Sequence, residues 1–233
     1  MYSIFDIFKV SIGPSSSHTM GPMIAAKHFR DLLNEKSLDS ATEKIEARLY
    51  GSLAFTGKAH GAEKGIVLGL SGFTPETIKT KQIKQTISKV RKAKSINISN
   101  KNKLPFDIDN NIYFDIKTPP RGHSNTLEII AYGKKEEILK RTYHSVGGGF
   151  VRVKGERKRF ALPSESPYEF DSCNELITLC KKAKMDIDEL TLQNELANTP
   201  KTELRKKILA IWSVMNDCIE NGLKTEGILE GGL

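Results

Sequence analysis

Four hydroxyl side chains and one imidazole are packed between two Gly-Pro dipeptides in Gly13-Pro14-Ser15-Ser16-Ser17-His18-Thr19-Met20-Gly21-Pro22. Just ahead of a helix start, hydroxyl donors and unpaired backbone N–H groups favour negative charge, so a carboxylate or phosphate fits here. The same composition also describes a serine-rich turn in which one residue caps the helix. A second group runs Tyr50-Gly51-Ser52-Leu53-Ala54-Phe55-Thr56-Gly57-Lys58-Ala59-His60-Gly61 and sets a histidine where little bulk blocks access. Histidine suits general-base work near neutral pH, and a loop histidine equally serves as a surface hydrogen-bonding residue. In Pro119-Pro120-Arg121-Gly122-His123-Ser124-Asn125, the side chains of Arg121, His123 and Asn125 either point one way or tie a loop together. Tyr143-His144-Ser145-Val146-Gly147-Gly148-Gly149-Phe150 adds a further histidine beside flexible backbone.

Metal chemistry finds less support. Cys173 and Cys180 are seven residues apart and Cys218 is remote, whereas zinc sites want tight Cys-x-x-Cys pairs. The thiols are expected to be buried small hydrophobes. No glycine-rich phosphate loop with a Lys-Ser or Lys-Thr pair is present.

The elements that must position these groups change character near residue 155. Gly21-Pro22 opens a helix over Met20–Leu33, Ile45–Leu53 reads as a strand, and Ala62–Leu70 as a short apolar helix. Asn111–Ile116, Thr126–Tyr132 and Glu137–Tyr143 read as strands, the last two joined by a Gly133-Lys134-Lys135 turn, and Phe150–Val153 follows as a further run. A charged, proline-bearing linker is expected over 156–170, and helices beyond it. Ser172 with Glu175 and Asp186 with Glu189 form capping boxes. Thr199-Pro200 opens a third helix with a Leu204, Ile208, Ile211, Met215, Ile219 stripe and a stop at Gly222. The last residues, Gly227–Leu233, read as a cut rather than a terminus.

Composition bounds the class. The 233 residues are 38% hydrophobic and 27% charged, enough for a packed core. No apolar run approaches the roughly 20 residues of a membrane span, and no secretory signal is visible at Met1–Asp6. Three cysteines without such a signal predict reduced thiols in the cytoplasm. The net charge of +8 is concentrated in Lys79–Lys94, which carries seven basic residues and no acidic one. Ile78, Ile83, Ile87 and Val90 make this an amphipathic helix with a solvated basic face. Without interleaved aromatics it predicts no nucleic-acid partner.

Taken in order, Ser3–Val10, Gly13–Thr19 with Gly21-Pro22, Tyr50–Leu53 with Thr56-Gly57-Lys58 and His60, and Ser145–Phe150 resemble the iron-sulfur L-serine dehydratases. Gln193–Ala197, Trp212, Cys218-Ile219, Gly222-Leu223 and Thr225–Leu229 continue the resemblance through the tail. It implies conversion of L-serine to pyruvate and ammonia with a [4Fe–4S] cluster and no pyridoxal phosphate. The implied fold is α+β: residues 1–155 as a small α/β sandwich domain similar to the allosteric substrate-binding domain of phosphoglycerate dehydrogenases, then 171–233 as the truncated helical start of the catalytic domain. In that layout His60 is the α-proton base and His123 the family's other functional histidine, at the contact between domains. Ser15, Ser16, Ser17, His18, Thr19 and Asn125 shape the active-site mouth or bind the serine carboxylate. Cluster ligands belong to the part of the catalytic domain outside this chain, so the chain alone is expected to be inactive. A homodimer is also implied. Ala59, Ala62 and Glu63 depart from the family's glycine, threonine and aspartate around His60, which predicts altered orientation and tuning of the imidazole. The alternative is a stand-alone module that binds serine or another small anion without turning it over.

Overall fold

The structure, a computed structural model, describes residues 3–99, 102–134, 136–156 and 166–227. In chain order it holds α1 (Ile4–Ile7), a π-helical turn (Ser16–Met20), α2 (Gly21–Glu35), β1 (Lys44–Gly51), α3 (Ser52–Thr56), α4 (Ala62–Leu70) and α5 (Thr80–Ala93). Next come β2 (Ser95–Asn97), β3 (Lys103–Pro105), α6 (Ile108–Asn111), β4 (Ile112–Asp115), β5 (Asn125–Tyr132), β6 (Glu137–Gly147) and β7 (Phe150–Val153). Three helices close the series: α7 (Cys173–Ala183), α8 (Ile187–Leu196) and α9 (Lys201–Lys224). The described residues of Met1–Val10 and Arg159–Gly227 form one compact unit, and those of Ser11–Lys158 form the other. No helix among the described residues is long and apolar enough to cross a membrane.

The larger unit is built on a mixed five-stranded sheet in the order β4-β1-β5-β6-β7. β1 pairs with β4 in parallel and with β5 antiparallel, and β5-β6-β7 continue antiparallel. Alternation decides the faces. Ile45, Ala47 and Leu49 of β1 and Leu127, Ile129 and Ala131 of β5 are fully buried, in one core with Phe29 and Leu33 of α2 and Ile66, Val67 and Leu70 of α4. Tyr143 of β6 also points into this core, its hydroxyl 3.0 Å from Nδ1 of His28 on α2, and burial pushes its phenol far up. The alternate positions carry charge. Burial works against ionisation of Glu46, but Lys44 at 2.6 Å and Arg48 at 3.0 Å hold its carboxyl below the usual range.

Helices α2 and α4 cross closely because the second is short and carries glycine where it meets the first. A Cβ on Gly65 would collide with the Thr19 carbonyl, and one on Gly69 with that of Met23. Two local expectations need correction. The strand expected to reach Leu53 ends at Gly51, whose φ of +57° turns the chain into α3. The third carboxy-terminal helix does not stop at Gly222 but runs to Lys224, since glycine alone ends a helix only where the backbone turns left-handed.

In the smaller unit Glu195 of α8 anchors the first residues, accepting from Ser3 Oγ and from the Ile4 backbone N–H at 2.8 Å each. Ser172 caps α7 by accepting from Glu175 N–H, although the Glu175 carboxylate accepts from Asp171 rather than closing the box. The Asp186–Glu189 box forms as expected. Residues 157–165 of the expected linker and 228–233 of the tail lie outside the described residues, as does Lys135 of the hairpin turn. Tyr168, within the expected linker, is instead pinned to α8 by reciprocal hydrogen bonds with Asn194 of 2.9 and 3.0 Å. Leu204 of the α9 stripe is buried, but Ile208, Trp212, Met215 and Ile219 are exposed.

Candidate active site

Three strand ends meet at one edge of the larger unit. β1 delivers Gly51 and passes to Ser52 at the start of α3, β5 begins at Asn125 opposite Gly51, and the last stretch of β6 before Gly147 carries His144 opposite Thr126, followed by Ser145. The Ser15–Thr19 segment lies against them: Ser145 Oγ donates to the Ser17 carbonyl at 2.7 Å. Gly21 must be glycine for this approach, because a Cβ there would collide with the Ser145 hydroxyl. Ser15 caps the π-helical turn by accepting from His18 N–H, and its own N–H donates to Thr19 Oγ1.

His18 sits at the centre of a chain of hydrogen bonds. Its Nδ1 lies 2.8 Å from Ser17 Oγ, and its Nε2 lies 3.0 Å from Thr56 Oγ1 and 3.1 Å from Ser52 Oγ. The Thr56 hydroxyl donates to the Ser52 carbonyl at 2.9 Å, so toward His18 it accepts, and His18 carries its proton on Nε2. Burial holds the His18 imidazole below its ordinary 6.5, a hydrogen bond at Ser52 opposes this, and neighbouring His60 adds to it. The His18 and His60 rings stand 5.3 Å apart between centroids.

His60 is half-buried and held from two sides. Its Nδ1 lies 2.8 Å from the Thr56 carbonyl, and its own carbonyl accepts from Thr19 Oγ1 at 2.6 Å. Glu63, in the first turn of α4, makes no hydrogen bond to the imidazole. Its carboxyl is raised by burial, lowered by Lys58, raised by Asp109 and lowered by Arg91. The departure at 63 therefore leaves the orientation of His60 to Thr56.

A second histidine pair adjoins the first. His123 and His144 have centroids 6.1 Å apart. Asn125 N–H donates to His123 Nδ1 at 3.0 Å, while Thr126 Oγ1 donates to the His123 carbonyl and accepts from His144 Nδ1. Burial lowers the His144 imidazole, and His123, Lys154 and Arg152 add to the effect. The Ser52 N–H donates to the Ser124 carbonyl at 2.9 Å, tying this loop to the His18 cluster. Asn125 Oδ1 is buried without a partner among the described residues.

Of the residues singled out from sequence, Ser15, Ser17, His18, Thr19 and His60 are joined in one network, and His123 and Asn125 occupy the adjoining loop. Ser16 is exposed at the start of the π-helical turn and outside the network. Ser52, Thr56, Thr126 and His144 enter as further members. Ser52, Thr56 and His60 are each four residues apart, a helical-face spacing visible in the sequence. The thiols differ from expectation, because Cys173 and Cys218 are exposed and Cys180 is half-buried on helices with open faces. They do not fit an iron-sulfur cluster: Cys173 and Cys180 lie on α7 and Cys218 on α9, and no three ligand side chains gather among the described residues.

Fold and site together define an α/β domain that gathers histidines and hydroxyls at one end of a mixed sheet. The family model described as the serine dehydratase beta chain matches residues 3–156, and the chain belongs to that family. Over its whole length it is 41% identical to the L-serine dehydratase TdcG of Escherichia coli (strain K12), covering 52% of that protein. It is 37% identical to an L-serine dehydratase of Streptomyces coelicolor, with 99% of the chain and 52% of the relative covered. An L-serine dehydratase of Helicobacter pylori (strain J99) is 36% identical, with 51% of its length covered. The chain thus spans about half the length of the curated relatives it matches.

Proposed function

We propose that this chain supplies the proton-abstracting and substrate-gating half of an L-serine dehydratase that converts L-serine to pyruvate and ammonia. The observation that carries the reading is the fixed tautomer of His60. A carbonyl oxygen only accepts, so the 2.8 Å contact with Thr56 keeps the proton on Nδ1 and leaves the Nε2 lone pair as a base. In this reading Nε2 takes the α-proton of serine as the β-hydroxyl departs, and the same proton passes to the departing hydroxide to give water. The aminoacrylate then tautomerises and is hydrolysed to pyruvate and ammonia. On this reading Ser15, Ser16 and Ser17 offer hydroxyl donors to the substrate carboxylate, His18 and Thr19 shape the mouth from within the hydrogen-bond network, Asn125 belongs to the same mouth, and His123 serves the contact with the rest of the catalytic domain.

The [4Fe–4S] cluster implied by the resemblance draws its ligands, on this reading, from the remainder of the catalytic domain. Exposed Trp212, Met215 and Ile219 on α9 support the docking of that remainder, since a helix with such a face wants a partner. A likeness of the larger unit to the allosteric substrate-binding domain of phosphoglycerate dehydrogenases, a homodimeric assembly and a cytoplasmic setting belong to the same proposal. The test is anaerobic reconstitution of the 233-residue chain with the carboxy-terminal half of a relative, reading pyruvate release from L-serine. Turnover only in the mixture supports the proposal. Serine binding without turnover in any mixture would overturn it in favour of a binding module.

A further inference from the structure

The basic helix α5 has no part in the site above, and its charges are not all paired. Lys94 reaches Asp107 at 2.9 Å and Arg91 reaches Asp109 at 3.4 Å. Lys89 and Lys103 have no carboxylate within ion-pair distance among the described residues. Both line a cavity of about 250 Å³ between α5, strands β2 and β3 and the end of α4, and among the described residues no Asp or Glu lines it.

Of the remaining polar lining, the Ser71 hydroxyl donates to the Val67 carbonyl at 2.8 Å, and three groups stay open. Ser95 Oγ is buried with no hydrogen-bond partner among the described residues. The hydroxyl of Thr86 and the amide of Asn97 also line the cavity, with no side-chain hydrogen bond among the described residues. Phe73 and Val90 supply an apolar wall. A buried hydroxyl normally has a partner, so Ser95 marks a group to be met from within the cavity.

We propose that this cavity is a binding site for an organic phosphate monoester, separate from the histidine network. Two unpaired lysines on one concavity without a carboxylate call for an anion. Five donor groups exceed the roughly four acceptor positions of a carboxylate and suit the three terminal oxygens of a phosphate. The Phe73–Val90 wall takes the organic portion. A nucleic-acid backbone carries the same phosphate chemistry, but a single concavity of this volume admits one ester rather than a track of them.

The experiment is calorimetric titration of the 233-residue chain with phenyl phosphate, inorganic phosphate, benzoate and a single-stranded RNA 20-mer. Saturable one-to-one binding of phenyl phosphate is expected, with inorganic phosphate competing about tenfold more weakly for want of the apolar wall and benzoate weaker still. Lys89→Gln and Lys103→Gln, both at exposed positions, should each weaken phenyl phosphate about fivefold or more, and Ser95→Ala about threefold. His60→Gln should leave it unchanged. Amide shifts in the unsubstituted chain provide a reading that needs no variant: those of Ser95, Asn97 and Lys103 should move and those of Gly57–Ala62 should not. Absence of saturable binding below about 10 mM, shifts confined to other residues, or affinity untouched in the double lysine variant would each overturn the proposal. RNA bound through the same lysines while phenyl phosphate is ignored would overturn it in favour of a nucleic-acid surface.

Discussion

His60 Nδ1 lies 2.8 Å from the backbone carbonyl oxygen of Thr56, one helical turn earlier in the chain. The partner is main chain, so no substitution of the Thr56 side chain removes it, and the tautomer is built into the backbone of the turn after α3. Because Nδ1–H is engaged, only Nε2 can take a proton from a bound substrate. In the reconstituted enzyme His60→Asn should therefore lower kcat about 10²- to 10⁴-fold, the usual contribution of a positioned base, with KM for serine changed far less. Steady-state pyruvate assays check this, and a rise in KM alone would refute the assignment.

Thr56 separates the two roles of the turn. Thr56→Val keeps the carbonyl that holds His60 but removes the hydroxyl that bridges His18 Nε2 and the Ser52 carbonyl. The expected result is a kcat about five- to tenfold lower, as about 1 kcal/mol of lost positioning gives, well short of the His60→Asn loss. Equal losses in the two variants, measured side by side, would show that the His18 bridge and not the carbonyl orients the base.

Acid should weaken the larger unit through His18. Burial places its folded-state value below the 6.5 of the unfolded chain, so the unfolded state binds more protons in the interval between them. The associated stability is complete above 6.5 and is lost as pH falls through that interval. His144 is displaced in the same direction and has the same sign. Urea unfolding between about pH 5 and pH 8 should show stability falling with acid, and His18→Gln should flatten the slope without abolishing it. A slope unchanged in that variant would remove His18 from the account.

Much of this architecture was legible in the sequence, for reasons that differ by element. Ala62–Leu70 is opened by glycine and apolar from Gly65 onward, and it folds over the residues expected. The alternation of Thr126–Tyr132 and the charge pattern of Lys79–Lys94 likewise fixed a strand and a helix. Ser15–Thr19 and His60 stood out because unusual residue types were crowded together. The turn at Gly51 was harder, since a strand that ends by positive φ leaves no break in hydrophobic pattern before Leu53. His144 was visible as a residue but not as a neighbour of His123, because that contact depends on the register of β5 against β6. Burial of the cysteines was misjudged for a related reason: α7 and α9 carry open faces among the described residues, and propensity does not say which face a partner covers.

Gly65 links the packing of the larger unit to its chemistry. A methyl group there would collide with the Thr19 carbonyl and come within 3.2 Å of the Met23 amide nitrogen, both main-chain atoms that cannot swing aside. The helices would have to part, at a cost of about 1–3 kcal/mol. Thr19 would move with them, and its hydroxyl is what holds the His60 carbonyl at 2.6 Å. Gly65→Ala should therefore lower both the unfolding free energy and the turnover of the reconstituted enzyme. Gly222 provides the contrast, because it lies inside α9 with nothing within 4 Å of an added methyl. Gly222→Ala should stabilise α9 by about 0.5–1 kcal/mol, since alanine loses less conformational freedom in a helix. Urea titrations of the two variants beside the unsubstituted chain give opposite shifts in midpoint if α4 packs through its glycines and α9 does not. A Gly65→Ala chain of unchanged stability would mean that α2 and α4 do not depend on this close approach.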